Sequence, residues 1–191
     1  MEALKNFFSS VEHLSSKDMD FLLSKLESKK VAKGTALFEL GEMVKDIYFL
    51  EDGILHRFNY NDLGEQKTLS LHESPRFCTD LESFSKAKKS TESCVAMTDC
   101  TLYRLSKTEY NSLVNSNIRW SNFVKKITEI SLILELNETK NRANKPIKER
   151  YLDLVNRQPR ILQNVSLQII ASYLGTSRET LHRIRRSVHA A

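Results

Sequence analysis

Apolar positions change their rhythm along this chain, and each change marks a different kind of element. From Met1 to about Lys30, Val11, Leu14, Met19, Leu22, Leu23 and Leu26 recur at roughly helical spacing, and Ser16 stands where a helix opening with Lys17-Asp18 would take its cap. Short helices are predicted there. From Val31 to about Leu105 the texture turns to short runs, "TALFELGE", "DIYFLEDGILHRFNY", "QKTLSLHE" and "SCVAMTDCTLYRLS", in which Phe and Tyr alternate with polar residues. Gly34, Gly41, Gly53 and the Asp62-Leu63-Gly64 turn punctuate them. Short, evenly spaced strands with glycine turns predict an antiparallel barrel or sandwich.

Beyond Ser106 the helical period returns. "KTEYNSLVNS" reads as a short helix leading into a long one, Ile118 to about Asn141, in which Trp120, Phe123, Ile127, Ile130 and Leu134 follow each other at gaps of 3, 4, 3 and 4. This is a heptad seam, and two partners could cover it: the chain's own barrel or a second copy of the long helix. The seam runs on to Asn137, a polar residue where one buried Asn can set register between paired helices, and this favours a homodimer. Asn141 to Pro146 then interrupts the pattern, with Pro146 disfavouring helix at Lys145, so a hinge is predicted there.

The last fifty residues form a third unit. "PIKERYLDLVNRQP" is an amphipathic helix presenting Ile147, Tyr151, Leu154 and Val155 and ending near Pro159. Ser166 caps the next predicted helix, whose apolar face is Ile169, Ile170, Tyr173 and Leu174, and Gly175 suits the left-handed residue at its end. Thr176 and Glu179 have capping-box spacing, which restarts a helix almost at once. Two helices joined by a short glycine-containing turn make a helix-turn-helix. Leu181, Ile184 and Val188 should face inward, leaving Arg178, Glu179, His182, Arg183 and Arg186 outward. The expected fold class is therefore α+β, in three parts: 1–117 a β-barrel unit with flanking helices, 118–141 a dimerisation helix, and 142–191 a helix-turn-helix domain.

Charge sharpens this reading. The net charge of +5 conceals an asymmetry: residues 1–141 hold 19 Lys+Arg against 21 Asp+Glu, whereas residues 142–191 hold 10 against 3. A positive field concentrated on one small domain suits a polyanion, and the outward arginines offer forked donors to guanine O6 and N7, as Glu179 offers an acceptor to cytosine N4. Double-stranded DNA is the expected partner. Three cysteines without CxxC spacing signal neither a disulfide framework nor a zinc site. No stretch is apolar for the roughly 20 residues that span a bilayer, and "MEALKNFF" does not resemble a signal peptide, so a cytoplasmic protein without membrane contact is expected. No hydrolase triad order, HExxH or phosphate-cradling glycine loop occurs, so no enzyme is expected.

The string "GTSRETLHRIRR" resembles the recognition element of the Crp/Fnr transcription regulators, and the layout resembles theirs over nearly the whole chain. That resemblance implies a cyclic-nucleotide-binding-like jelly roll for the barrel. It also implies Arg178, Glu179 and Arg183 as base readers, beside His182 and Arg186, with Ser166, Gln168 and Ser177 bonding phosphates. Two departures stand out. Where cyclic-nucleotide-binding members carry Gly-Glu and, later, an arginine for the cyclic phosphate, this chain has Cys78 and Thr79 and then Ser90, with Lys88 and Lys89 as the nearest cations. Cyclic AMP is not the expected effector, whether another small molecule takes that role stays open, and no cofactor is expected; His56 and His72 are expected to be structural or surface residues rather than ligands. The chain as given also ends three residues after Val188, where the family usually adds a β-hairpin wing, so a wingless domain is expected. The competing reading is a barrel-based ligand sensor or interaction module that has lost specific DNA binding.

Overall fold

The computed structural model describes residues 1–189. Two helices, α1 (Glu2–Val11) and α2 (Ser16–Ser24), precede strands β1 (Glu27–Val31), β2 (Ala36–Phe38), β3 (Asp46–Asp52), β4 (Ile54–Tyr60), β5 (Gln66–Glu73) and β6 (Arg76–Cys78). A one-and-a-half-turn helix α3 (Leu81–Lys86) separates these from β7 (Ser93–Ala96) and β8 (Cys100–Ser106). Helices α4 (Lys107–Ser116), α5 (Ile118–Asn144), α6 (Ile147–Arg157), α7 (Pro159–Asn164), α8 (Leu167–Tyr173) and α9 (Arg178–His189) complete the chain. This is the expected α+β architecture, with one refinement: the strands form two antiparallel four-stranded sheets, ordered β1-β8-β3-β6 and β2-β7-β4-β5, rather than a closed barrel.

Side-chain alternation along the strands generates three cores from two sheets. Leu50, Leu55 and Leu102 point between the sheets, into a cluster with Phe38, Cys78 and Cys94. Their neighbours Phe49 and Tyr103 point the other way, onto Leu4 and Phe8 of α1, Leu22 of α2, Leu113 of α4 and Trp120 and Phe123 of α5. On the second sheet, Ile54 and Leu71 face outward and join Tyr151, Leu154, Ile161, Ile170, Leu174 and Leu181 of the C-terminal helices. The sandwich thus carries the N-terminal helices on one outer face and helices α6–α9 on the other.

Helix boundaries follow local capping, and two caps shift from their sequence expectations. Ser15, not Ser16, caps α2, because only Ser15 lies three residues before Asp18 and can exchange both capping-box bonds with it. Asn117 caps α5 by accepting from the Trp120 N–H at 3.1 Å. The long helix ends at Asn144, three residues beyond the expected Asn141, and Lys145 is extended ahead of Pro146 as the proline ring requires. Pro159 does not stop the chain's helical course: at the first position of α7 its missing N–H costs nothing, so it opens a short helix absent from the sequence reading. Gly53 makes the β3–β4 turn at φ +119, where a Cβ would lie 2.4 Å from Cys100 Sγ.

Candidate nucleic-acid interface

The helix-turn-helix is built by its turn. Helix α8 starts under Ser166, whose hydroxyl accepts from the Ile169 N–H, and stops at Gly175, which adopts φ +65 so that the Thr176 N–H can return to the Ala171 carbonyl at 2.9 Å. The cap of α9 is Ser177, one residue after the expected Thr176: its Oγ accepts from the Thr180 N–H at 3.1 Å. Glu179 is thereby freed from a reciprocal cap with Thr176. Its carboxyl is held below the usual range by its own backbone N–H and the Ser177 hydroxyl, and so carries full charge at the head of the helix, where the dipole favours an anion.

Burial sorts α9 into the two faces that its apolar spacing requires. Leu181 is completely buried and Ile184 and Val188 are half-buried against α8. Arg178, Glu179, His182, Arg183 and Arg186 are all exposed, and so are Ser166, Gln168 and Ser177 on the flanking turns. Arg185, not singled out from the sequence, is exposed beside them. Among the described residues, the ion pairs leave Arg178, Arg183, Arg185 and Arg186 without a carboxylate partner, so the face keeps its positive charge. The stretch beyond His189, on which the wingless expectation bears, lies outside the described residues.

The other faces of the domain are docked on the sandwich. Ser172 of α8 accepts from the Thr68 N–H of β5 at 2.9 Å, and Arg160 of α7 pairs with Asp52 at 2.9 Å. Behind Thr68 lies His56, buried, with Nε2 3.0 Å from the Thr68 hydroxyl. Burial lowers its pKa to about 4, so it is neutral at pH 7. His72 is wholly buried, and its pKa is lowered by burial and then by Arg76, Arg57 and Arg142.

The residues of the expected dimer seam divide along α5. Trp120 and Phe123 are buried in the chain's own core, stacked edge-on at 5.8 Å, where intramolecular packing would place them. Ile127 and Ile130 are half-buried. Leu134 is 44% exposed, with Ile133 at 55% and Leu136 at 57% beside it. From Ile130 onward the helix therefore shows apolar surface that its own chain leaves uncovered.

A polar network lies between the sheets and α5. Lys88 and Lys89 are on the surface, Lys88 reaching Glu82 at 3.6 Å. Arg57 of β4, largely buried, is held by Glu92 at 2.7 Å and by Glu135 of α5 at 2.7 Å. Glu92 is raised above the usual carboxylate range by burial, with Asp80 and Glu135 adding to the effect and Arg57 opposing it. Ser90 donates to Asp80 at 2.7 Å. The arginine was missed in the sequence because it comes from a strand remote from the Cys78–Ser90 stretch; only its place in the register of "ILHRFNY" could have pointed inward.

Comparison with known proteins fits this geometry. Residues 28–117 match the cyclic nucleotide-binding domain. The chain is 22% identical over 176 residues to the cyclic AMP receptor protein of Thermus thermophilus, covering 90% of this chain and 81% of that one. Its fold is similar to FixK2 from Bradyrhizobium japonicum (TM-score 0.71, 13% identity, 86% of this chain and 85% of that one). It is also similar to the c-di-GMP responsive regulator CLP of Xanthomonas campestris (TM-score 0.68, 17% identity, 92% of each chain). A transcriptional regulator of the Crp/Fnr family from Eubacterium rectale gives a TM-score of 0.68 at 18% identity over 93% of this chain and 84% of that one. Residues 28–117 thus match the cyclic nucleotide-binding domain, and the fold of the chain is similar to that of these regulators.

Proposed function

We propose that this chain, with its cyclic nucleotide-binding domain and Crp/Fnr fold, is a cytoplasmic, sequence-specific DNA-binding transcription regulator that acts as a homodimer. The observation that carries the reading is the outward face of α9: four arginines without carboxylate partners among the described residues, on a helix pinned from behind by buried Leu181. Such a helix can enter a major groove, with Arg178, Glu179 and Arg183 meeting base edges while Ser166, Gln168 and Ser177 hold flanking phosphates. Each base-reading pair discriminates by about 1–3 kcal/mol, so one copy reads too few bases for specificity. A second copy joined through Ile130, Ile133 and Leu134 would present two helices about 34 Å apart, one turn of duplex.

Cyclic AMP is a poor fit as effector, because Arg57 in the sandwich already holds two carboxylates, Glu92 and Glu135. A cyclic phosphate would have to displace a buried Arg–Glu pair and leave Glu92 unpaired, which costs several kcal/mol.

The test is selection of bound sequences from a random duplex pool, followed by anisotropy titration of the selected site and of scrambled DNA at several salt concentrations. A pseudo-palindromic site bound at least 10³-fold more tightly than scrambled DNA, with affinity falling steeply with salt, is expected. Weak binding without sequence preference would leave the barrel-based sensor or interaction module as the better reading.

A further inference from the structure

At the junction of α5, α6 and α8 a cleft of about 320 Å³ is lined by Arg142, Arg150 and Arg157 together with Glu138, Asp153 and Tyr173. Both carboxylates have other partners: Glu138 pairs with Arg76, and Asp153 bonds Lys145 at 2.6 Å while also lying in the field of Arg157. Among the described residues none of the three arginines makes a salt bridge. Arg142 donates to the Leu69 carbonyl and stands 5.8 Å from the centroid of the Tyr173 ring. The Nε of Arg150 is buried without any partner. Burial raises the pKa of Tyr173, and Glu138, Arg142, Arg76 and Arg150 also act on it. Three like charges facing one concavity repel each other, and a buried donor left unpaired costs further; an anion between them removes both penalties.

We propose that this cleft binds a small ligand bearing a phosphate or diphosphate group, clamped by Arg142, Arg150 and Arg157. Planar guanidinium forks match phosphate oxygens two at a time, and Arg is the side chain that does so best. The volume lies within the range of small-molecule sites. Duplex DNA is a convex rod whose backbone would meet only the rim of such a concavity, so the occupant is a free small molecule. The cleft also spans the break at Lys145-Pro146: Arg142 belongs to α5, Arg150 and Arg157 to α6, and Tyr173 to α8. An anion bridging them ties the long helix to the helix-turn-helix domain and fixes their relative pose. That consequence rests on the regulator reading; binding itself does not.

The experiment is calorimetric titration of the full chain, without DNA, using pyrophosphate, ADP and, as the uncharged control, adenosine. Saturable binding of pyrophosphate and ADP is expected, with none of adenosine, and R150Q/R157Q should weaken it about 10- to 100-fold, the worth of charge-assisted hydrogen bonds. Backbone-amide NMR of the unmodified chain gives a second readout that needs no variant: pyrophosphate should shift residues around Arg142, Arg150, Arg157 and Tyr173. Absence of saturable heat from both anions, unchanged affinity in R150Q/R157Q, or shifts confined to α9 overturns the proposal. So does full displacement of ADP by a random duplex, which would assign these arginines to the DNA backbone. A chain that binds ADP yet shows no DNA preference would retain this site and lose only the regulator reading.

Discussion

Acid should loosen the seam between the sandwich and the helix-turn-helix domain, and His56 sets how much. Its ring is 2% exposed, 3.0 Å from the Thr68 hydroxyl, and Thr68 in turn bonds Ser172 of α8. Burial lowers its pKa from 6.5 to about 4, so between those values the unfolded chain holds a proton that the folded chain excludes. The state that binds more protons gains as pH falls; stability is therefore complete above about pH 6.5 and is lost progressively toward pH 4. Integrating the linkage from pH 7 to 5 with these two values gives a loss of about 2 kcal/mol from His56 alone. His72 adds a loss of the same sign. Glu73 and Glu92, raised by burial, act with the opposite sign, through a higher folded pKa that favours the protonated folded state. The assay is urea denaturation at pH 7 and pH 5, monitored by helical circular dichroism, for the unmodified chain and for His56→Gln, which keeps a hydrogen-bonding amide near Thr68 but cannot titrate. The unmodified chain should lose about 2 kcal/mol more than the variant over that interval. Equal losses in both would refute the argument, since they would show that His56 is no less protonated in the folded state than in the unfolded one.

Three other outcomes follow from named contacts. Arg183→Ala should weaken binding to the selected site by about 1–3 kcal/mol and relax preference at one base position; anisotropy against single-base variants checks it, and an unchanged preference profile removes Arg183 from readout. Ile130→Glu with Leu134→Glu places charges on the uncovered half of α5 while leaving Trp120 and Phe123 in the core, so sedimentation should show a folded monomer with little operator affinity; an intact dimer would move the interface elsewhere. Gly53→Ala should destabilise by about 1–3 kcal/mol, because the turn holds φ +119 and the new methyl would meet Cys100 Sγ at 2.4 Å; a melting temperature equal to that of the unmodified chain would contradict the close approach.

What the sequence determined by itself was whatever depends on residues close along the chain. Period-2 alternation in "DIYFLEDGILHRFNY" and the 3-4 spacing in α5 set strand and helix, since side-chain direction follows backbone geometry within a few residues. Gly175 followed by Ser177 and an arginine-rich amphipathic stretch sufficed to place a tight turn between α8 and α9 and to tell which residues of α9 are exposed. Caps proved less legible by one position at Ser15 and Ser177, because neighbouring hydroxyls share the same propensity and only the distance to the acceptor's partner separates them. Which partner covers a given apolar face was decided by tertiary structure alone. Trp120 and Leu134 occupy equivalent places in one heptad pattern, yet Trp120 is buried in the cluster with α1 and α2 while Leu134 is 44% exposed. Arg57 beside Glu92 and Glu135, and Arg142 beside Arg150 and Arg157, were likewise out of reach: such clusters join strands and helices tens of residues apart, and no local period carries the information that brings them together.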